Sequence, residues 1–209
     1  SPNALSMIRM YSGSDDNSSE FTIALEEYLA DFQSLVELQR EERRMAKIPV
    51  RMPSNQIEYI NPGGQNKLIK ATVEEFCPRF IPGGRVLYIG DADNKTVHYD
   101  KELFSSLGIN LDMHGKMPDL VVYQEDKNWL FLMEAVTSHG PVSAFRKKDL
   151  ESLFGGAEAG IVYVSCFPDR RVLRSHLMDI AWETEVWLES DPTHMIHFNG
   201  SRFMGPYES

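Results

Sequence analysis

Two apolar segments joined by a short polar turn restrict the fold of this chain more than any other feature. Residues 119–123 and 129–136 are rich in branched and aromatic side chains, and the turn between them reads QEDKN (124–128). This pattern predicts an antiparallel β-hairpin. With the turn centred near Asp126, residues whose numbers add to about 253 face each other across the two strands.

The rest of the chain alternates between helical and strand patterns. Helices are predicted at 21–47, 65–76, 102–107, 143–154 and 169–189, and strands at 86–90, 96–99, 159–167 and 195–198. Prolines and a pair of glycines interrupt residues 48–64, which predicts a linker.

This order of elements predicts the fold class and the domains. It favours an α/β chain of the α+β kind, with a mixed sheet flanked by helices, over a doubly wound parallel sheet. The predicted organisation is a disordered lead-in at 1–20, a helical extension with its linker at 21–62, and a main domain at 63–209.

Charge and cysteine content narrow the class of protein. The chain has 21 Lys and Arg residues against 31 Asp and Glu, a net charge of −10. This balance mildly disfavours nucleic-acid binding, because phosphate contacts use basic side chains, although local patches matter more than the sum. The chain has only two cysteines, so we expect no disulfide framework. This cysteine content indicates a reducing cytoplasm. No apolar run reaches the ~20 residues of a membrane span, so we expect no membrane partner.

Two acidic residues occupy facing ends of the predicted hairpin. Asp119 opens the first strand and Glu134 lies near the end of the second, and their numbers add to 253. Facing side chains lie ~4.5–5.5 Å apart at Cβ, and carboxylates this close repel each other unless a cation lies between them. Since Mg²⁺ favours a few carboxylates plus water and phosphate oxygens, the pair is a candidate metal site for phosphodiester hydrolysis.

The alternative is a pair of solvent-exposed acids at strand ends, which are common in any protein. Two observations favour the metal site. Glu134 ends an otherwise apolar strand, WLFLM (129–133), and a half-buried carboxylate usually needs a partner. Glu75 on the preceding predicted helix is a candidate outer carboxylate for the same cluster. Asp91, in the loop DADNK (91–95), is a further candidate, although that loop reads equally well as a hairpin turn.

The Pro118-Asp119 pair, followed by Glu134 after a strand, resembles the PD-(D/E)xK nuclease superfamily. Longer segments are similar to the BsuBI/PstI family of type II restriction endonucleases, and the similarity runs from about residue 30 to residue 207. The segments are GRVLYIGDADNK (84–95), HGKMPDLVVY (114–123), WLFLMEAVTSHGPVS (129–143), FPDRR (167–171), IAWETEVWL (180–188) and HMIHFNGSRFMGPY (194–207).

The resemblance implies a Mg²⁺-dependent endonuclease that hydrolyses double-stranded DNA at a short palindromic site, CTGCAG in known relatives. A homodimer is implied too, because a two-fold protein reads a two-fold site. Asp119 and Glu134 would hold the Mg²⁺, with the Ala135 carbonyl as a further ligand. Family members carry an additional amino-terminal region, which we expect to be absent here apart from helix 21–47. The alternative function is a DNA-binding or assembly domain that keeps the fold without the chemistry.

One position departs from the superfamily pattern. The superfamily has lysine two residues after the second acid, where its charge assists the attacking water, and this chain has Val136 there. The candidates to replace that charge are Lys116, just before Asp119, and His139, in the loop after Glu134. Arg146 and Lys95 rank behind them. A loop histidine is more often a simple hydrogen-bonding residue.

The carboxyl-terminal region supplies candidate DNA contacts. His197, Asn199 and Arg202, together with Arg146, suit hydrogen bonding to base edges, and structural capping is an equally good interpretation. Trp182 and Trp187 fall on the predicted helix 169–189 and are expected in the core rather than against bases.

Overall fold

The computed structural model describes residues 18–91, 96–109, 117–137 and 139–199. The chain divides into two compact units, Ser1–Ala46 and Lys47–Ser209. The described part of the first unit is one helix, α1 (Ser18–Met45), formed by a segment without Gly or Pro. None of the helices in the described ranges is both long and apolar enough to cross a membrane.

The second unit contains the remaining described elements. It begins with the strands β1 (Ile48–Arg51) and β2 (Ile57–Ile60), then α2 (Gly64–Ala71), a π-helical segment (Thr72–Phe76) and α3 (Cys77–Phe80). Next come β3 (Arg85–Gly90), β4 (Thr96–Tyr99), α4 (Lys101–Ser106), β5 (Leu120–Gln124) and β6 (Trp129–Ala135). The last are α5 (Ala144–Phe154), β7 (Gly160–Phe167), α6 (Arg170–His176), β8 (Thr184–Leu188) and β9 (Met195–Phe198).

Seven strands form one mixed sheet in the order β4-β3-β5-β6-β7-β8-β9. The β6–β7 and β7–β8 pairs are parallel, and the other neighbours are antiparallel. In the β5–β6 hairpin the partners run from Leu120 opposite Met133 to Gln124 opposite Trp129, so facing residue numbers add to 253. Both the predicted mixed sheet and the predicted hairpin register are confirmed.

Helices cover both faces of this sheet, and the alternation of side chains along β6 shows which residue meets which layer. Phe131 and Met133 point to the face covered by β1, β2, α2 and the π-helical segment. Leu130 and Leu132 point to the opposite face, where α4 and α5 pack. Because strand side chains alternate, Glu134 shares the face of Leu132 and therefore points towards the α5 side. The two cysteines are buried and unbonded, as expected.

The prediction that residues 48–64 form a linker is wrong. Residues 48–60 form the β1–β2 hairpin, in which Val50 and Ile60 are fully buried in the core. A two-stranded ribbon tolerates Pro49, since proline is acceptable in edge strands. The compact unit therefore begins at Lys47 rather than near residue 63.

The prediction of one long helix at 169–189 is also wrong. α6 ends at His176, and residues 184–188 form β8, a strand inside the sheet. Trp187 on β8 is fully buried, whereas Trp182 before it is 70% exposed, so only Trp187 joins the core. A short apolar run has no periodicity that separates a buried strand from a helix, which explains the error.

Candidate active site

The two acids selected from the hairpin pattern lie side by side. Asp119 immediately precedes β5 and Glu134 is the penultimate residue of β6, so the hairpin register brings them to facing positions. The two side chains are close enough for the charge of Asp119 to raise the pKa of Glu134. Both residues are only partly buried, which leaves the pair open to the surface.

Backbone and side-chain donors hold Asp119 in place. Its Oδ2 accepts a 2.8 Å hydrogen bond from the backbone N–H of Ala135, the last residue of β6. Its Oδ1 accepts a 2.7 Å hydrogen bond from Nε2 of Gln65, near the start of α2. Its own carbonyl accepts a 2.8 Å hydrogen bond from the N–H of Gly90 at the end of β3. Three elements therefore converge on Asp119, two of them on its carboxylate.

Glu134 is held by an arginine from α5. Arg146 Nε donates a 2.8 Å hydrogen bond to Glu134 Oε1, and Arg146 Nη2 lies 2.7 Å from the same oxygen. Nη2 also donates to the carbonyl of Met117 at 2.9 Å, which ties the arginine to the segment before Asp119. The Ser143 hydroxyl accepts from the Arg146 N–H and caps the amino-terminal end of α5, so the first helical turn is fixed where this contact occurs.

Burial and mutual repulsion shift the acidity of both carboxyl groups. Burial, and after it the charge of Asp119, raises the pKa of Glu134 from 4.5 to about 8, although Arg146 opposes the shift. Burial also raises the pKa of Asp119, against the lowering effect of hydrogen bonds from Ala135 and Gln65. Burial and the neighbouring carboxylate therefore both favour the protonated form of Glu134.

The donor set of this pair fits a hard divalent cation. Two neighbouring carboxylates repel each other, and a cation bound between them relieves that repulsion as a shared proton does. Carboxylate oxygens are also preferred ligands of Mg²⁺. Each oxygen of Asp119 accepts one described hydrogen bond and keeps a second lone pair for a ligand. Among the described residues, no group of three or more His, Cys, Asp or Glu side chains is arranged to hold a metal.

The pair opens into a cleft of about 820 Å³. Exposed residues at its rim include His139 and Phe145, and Asp91 also lines it. Asp91 Oδ2 accepts from the N–H of Asn61 at 2.9 Å, and Oδ1 accepts from Asn66 Nδ2 at 3.1 Å. These bonds tie Asn61, before α2, and Asn66, within α2, to the end of β3, so Asp91 has a structural role at the edge of the cleft.

Glu75, the expected outer carboxylate, does not line this cleft. It is exposed in the π-helical segment, ten residues after Gln65. At ~1.5 Å rise per residue, these ten residues extend ~15 Å along the helix axis. The amino-terminal end of α2 reaches Asp119 through Gln65, so Glu75 lies too far along the axis to join the pair.

The other candidates are distributed as follows. Val136, at the lysine position, is fully buried in an apolar cluster with Phe167 and Leu173. His197 on β9 is hydrogen-bonded to Glu185, and Asn199 lines a second cavity on the other side of α5. Lys95, Lys116 and Arg202 lie outside the described residues.

Sequence reasoning missed the contacts that hold the acids. The sequence indicates Arg146 only as a secondary cation and a DNA contact, and it gives no indication of Gln65. The signal that points to Arg146 is local: Ser143 is a favourable N-cap, which starts a helix three residues before the arginine. Gln65 precedes Asp119 by 54 residues, and no local pattern links the two.

The chain is similar in sequence to known proteins. Residues 48–201 match the family described as the BsuBI/PstI restriction endonuclease domain. The chain is 49% identical over 204 residues to the type II restriction enzyme BsuBI of Bacillus subtilis, covering 98% of this chain and 63% of that enzyme. It is 31% identical over 194 residues to the type II restriction enzyme AplI of Arthrospira platensis, covering 90% of this chain and 60% of that enzyme.

A solved structure, that of the SdaI restriction endonuclease, shares the fold. The TM-score is 0.74 at 45% sequence identity, and the match covers 94% of this chain and 64% of the SdaI chain. The chain thus spans less than two thirds of the length of each of these relatives. The likeness confirms the expected nuclease-like mixed sheet flanked by helices.

Proposed function

Because the chain belongs to the BsuBI/PstI restriction endonuclease family, we propose that it carries the catalytic centre of a Mg²⁺-dependent, site-specific DNA endonuclease. The observation that carries the proposal is the Asp119–Glu134 pair at facing hairpin ends, which opens to a cleft and in which burial and the neighbouring carboxylate raise the pKa of Glu134. A DNA backbone supplies the phosphate oxygens that such a cation lacks in a two-carboxylate site.

Asp119 and Glu134 would hold the Mg²⁺, and the Ala135 carbonyl is a candidate further ligand. When bound, the ion would polarise a phosphoryl oxygen and lower the pKa of a coordinated water. The chain's own residues have separate tasks. Gln65 and the Ala135 N–H orient the Asp119 carboxylate, and Arg146 orients that of Glu134.

Arg146 is our candidate for the positive charge that lysine provides elsewhere in the superfamily. Val136 cannot provide it, and its side chain is enclosed by apolar neighbours. The guanidinium lines the cleft beside Glu134. A fixed positive charge here would stabilise negative charge that develops on the phosphate. His139, at the rim of the cleft, and Lys116 remain the alternative candidates for this positive charge.

We propose double-stranded DNA as the substrate, a short palindrome resembling CTGCAG as the site, and a homodimer as the cutting form. A two-fold assembly presents two clefts to two equivalent strands, which suits a palindrome. The cytoplasm is the proposed compartment, because the DNA is there and both cysteines are free.

The rival function is a DNA-binding or assembly domain without catalysis, and the apolar Val136 at the lysine position is the observation that favours it. Plasmid cleavage in Mg²⁺, with EDTA as the control, separates the two functions. The proposal expects linear product with identical ends at each mapped site. Intact plasmid in Mg²⁺, from protein that retards the same DNA in a gel, would establish the rival.

A further inference from the structure

A second cavity lies on the other side of α5 from the catalytic cleft. Its volume is about 620 Å³, within the ~300–1,000 Å³ range of ligand-binding pockets. Arg146 and Asp149 face the catalytic cleft, whereas Lys147 and Lys148 face this cavity. The side chains that line it and carry the argument are Lys147, Lys148, Glu151, Trp182, Glu183 and Asn199.

Trp182 provides an exposed aromatic surface in this cavity. The residue is 70% exposed, although large aromatic side chains are on average highly buried. Phe198 supports the indole, with ring centroids 6.3 Å apart. The next residue, Glu183, has a left-handed backbone (φ 61°), and its N–H donates to the Phe198 carbonyl at 2.5 Å. This backbone conformation is unfavourable for a residue other than glycine, and it occurs next to the residue whose indole points outward.

Lys147 fixes the same segment from α5. Its Nζ lies 3.4 Å from the Trp182 carbonyl, 3.5 Å from Glu183 Oε2 and 5.5 Å from the centroid of the Tyr163 ring. Trp182 therefore sits on a braced segment rather than a loose one. A rigid aromatic surface loses little conformational freedom when a ligand stacks on it.

The charges around the cavity indicate which part of a nucleotide would enter it. The positive charges of two lysines and the negative charges of two glutamates cancel, so the lining favours a neutral group over a phosphate. Asn199 and Glu151 in the lining are residue types that hydrogen-bond to the polar edges of bases, as Asn does with adenine and Glu with cytosine. A neutral planar ring with donors and acceptors on its edge is a nucleobase.

We propose that this cavity receives one base of the DNA, displaced from the helical stack near the cut site and stacked on Trp182. The inference rests on the proposed endonuclease function. α5 separates the two cavities, and a helix with side chains is ~10–12 Å across. One strand advances 3.4 Å per nucleotide, so the displaced base would lie about three nucleotides from the scissile phosphate. Base stacking on an aromatic ring compensates for the cost of unstacking.

Photo-crosslinking tests the contact directly. Duplexes carry 5-iodopyrimidines, one position at a time, on both strands within five nucleotides of the mapped cut, and are bound to the whole chain in Ca²⁺. We expect a crosslink at a position about three nucleotides from the cut, on the peptide that contains Trp182. The crosslink should disappear in Trp182→Ala and persist in the matched control Trp129→Ala.

Trp129 is a suitable control because it is also an exposed tryptophan with a nearby lysine. It is 42% exposed, and Lys127 Nζ lies 4.9 Å from its ring centroid. It begins β6, at the opposite end from Glu134, about 20 Å from Ala135 at ~3.3 Å per residue.

Affinity provides the second measurement. Trp182→Ala should weaken duplex binding about tenfold, and Trp129→Ala less than twofold. If wild-type protein cleaves DNA but Trp182 gives no crosslink, or both variants bind equally, the base-binding inference is wrong and the endonuclease function stands. If wild-type protein neither binds nor cleaves DNA, both proposals are wrong.

Discussion

Arg146 and Glu134 form an ion pair in which both arginine contacts fall on one carboxylate oxygen, Nε at 2.8 Å and Nη2 at 2.7 Å. The two side chains are 17% and 12% exposed. In such surroundings an ion pair is screened less than at the surface. These two contacts keep Glu134 oriented and hold the guanidinium beside the acids.

The first prediction concerns the acids themselves. Asp119→Ala and Glu134→Ala should each abolish DNA cleavage in Mg²⁺, because either change leaves one carboxylate where two are needed to hold the cation. Circular dichroism should show that both variants remain folded. Glu75→Ala is the matched control, and it should cleave like the wild type because Glu75 is exposed outside the cleft. A near wild-type rate in either acid variant would refute the site assignment.

The second prediction concerns the charge that replaces the motif lysine. Arg146→Ala should lower kcat by about two orders of magnitude, the usual scale for removing one electrostatic donor, with a smaller change in KM. Arg146→Lys should recover part of the loss. His139→Ala and Lys116→Ala should lose far less.

If another variant shows the largest loss of kcat, a different residue supplies the positive charge. If Lys116→Ala has the largest loss of kcat, the charge comes from Lys116. If His139→Ala has the largest loss, the charge comes from His139.

The third prediction concerns stability without metal. The pKa of Glu134 is raised from 4.5 to about 8 in the folded chain, so the folded state binds a proton that the unfolded state releases. In EDTA, the free energy of unfolding should therefore fall as pH rises from about 4.5 to about 8, by at most ~1.4 kcal/mol per pH unit from this group.

Urea titrations at several pH values measure this dependence. Glu134→Gln should flatten the decrease, whereas Glu75→Gln should leave it unchanged. Equal slopes in wild type and Glu134→Gln would mean that Glu134 has no raised pKa.

The fourth prediction separates binding from catalysis. Ca²⁺ should support DNA binding but little cleavage, since its larger and more variable coordination shell satisfies the carboxylates without the octahedral geometry of Mg²⁺. Gel shifts and cleavage assays in parallel give both quantities. Rapid hydrolysis with Ca²⁺ alone would contradict the assigned metal chemistry.

The local sequence pattern was sufficient to predict the β5–β6 hairpin. The polar turn and two apolar runs determined the hairpin register, and that register alone brought Asp119 opposite Glu134. The motif resemblance identified the family, which the match over residues 48–201 confirms. These inferences succeeded because hairpin partners are close in sequence and strand side chains alternate with a period of two.

Tertiary packing decided what surrounds the two acids. Gln65 reaches Asp119 across 54 residues, and Arg146 reaches Glu134 only because α5 packs on the face to which Glu134 points. The segment around Trp187 became a buried strand because parallel pairing with β7 satisfies its backbone, although its apolar residues are compatible with a helix. Contacts between distant segments leave no periodic signal in the sequence, so only the assembled sheet determines which charges meet at the site.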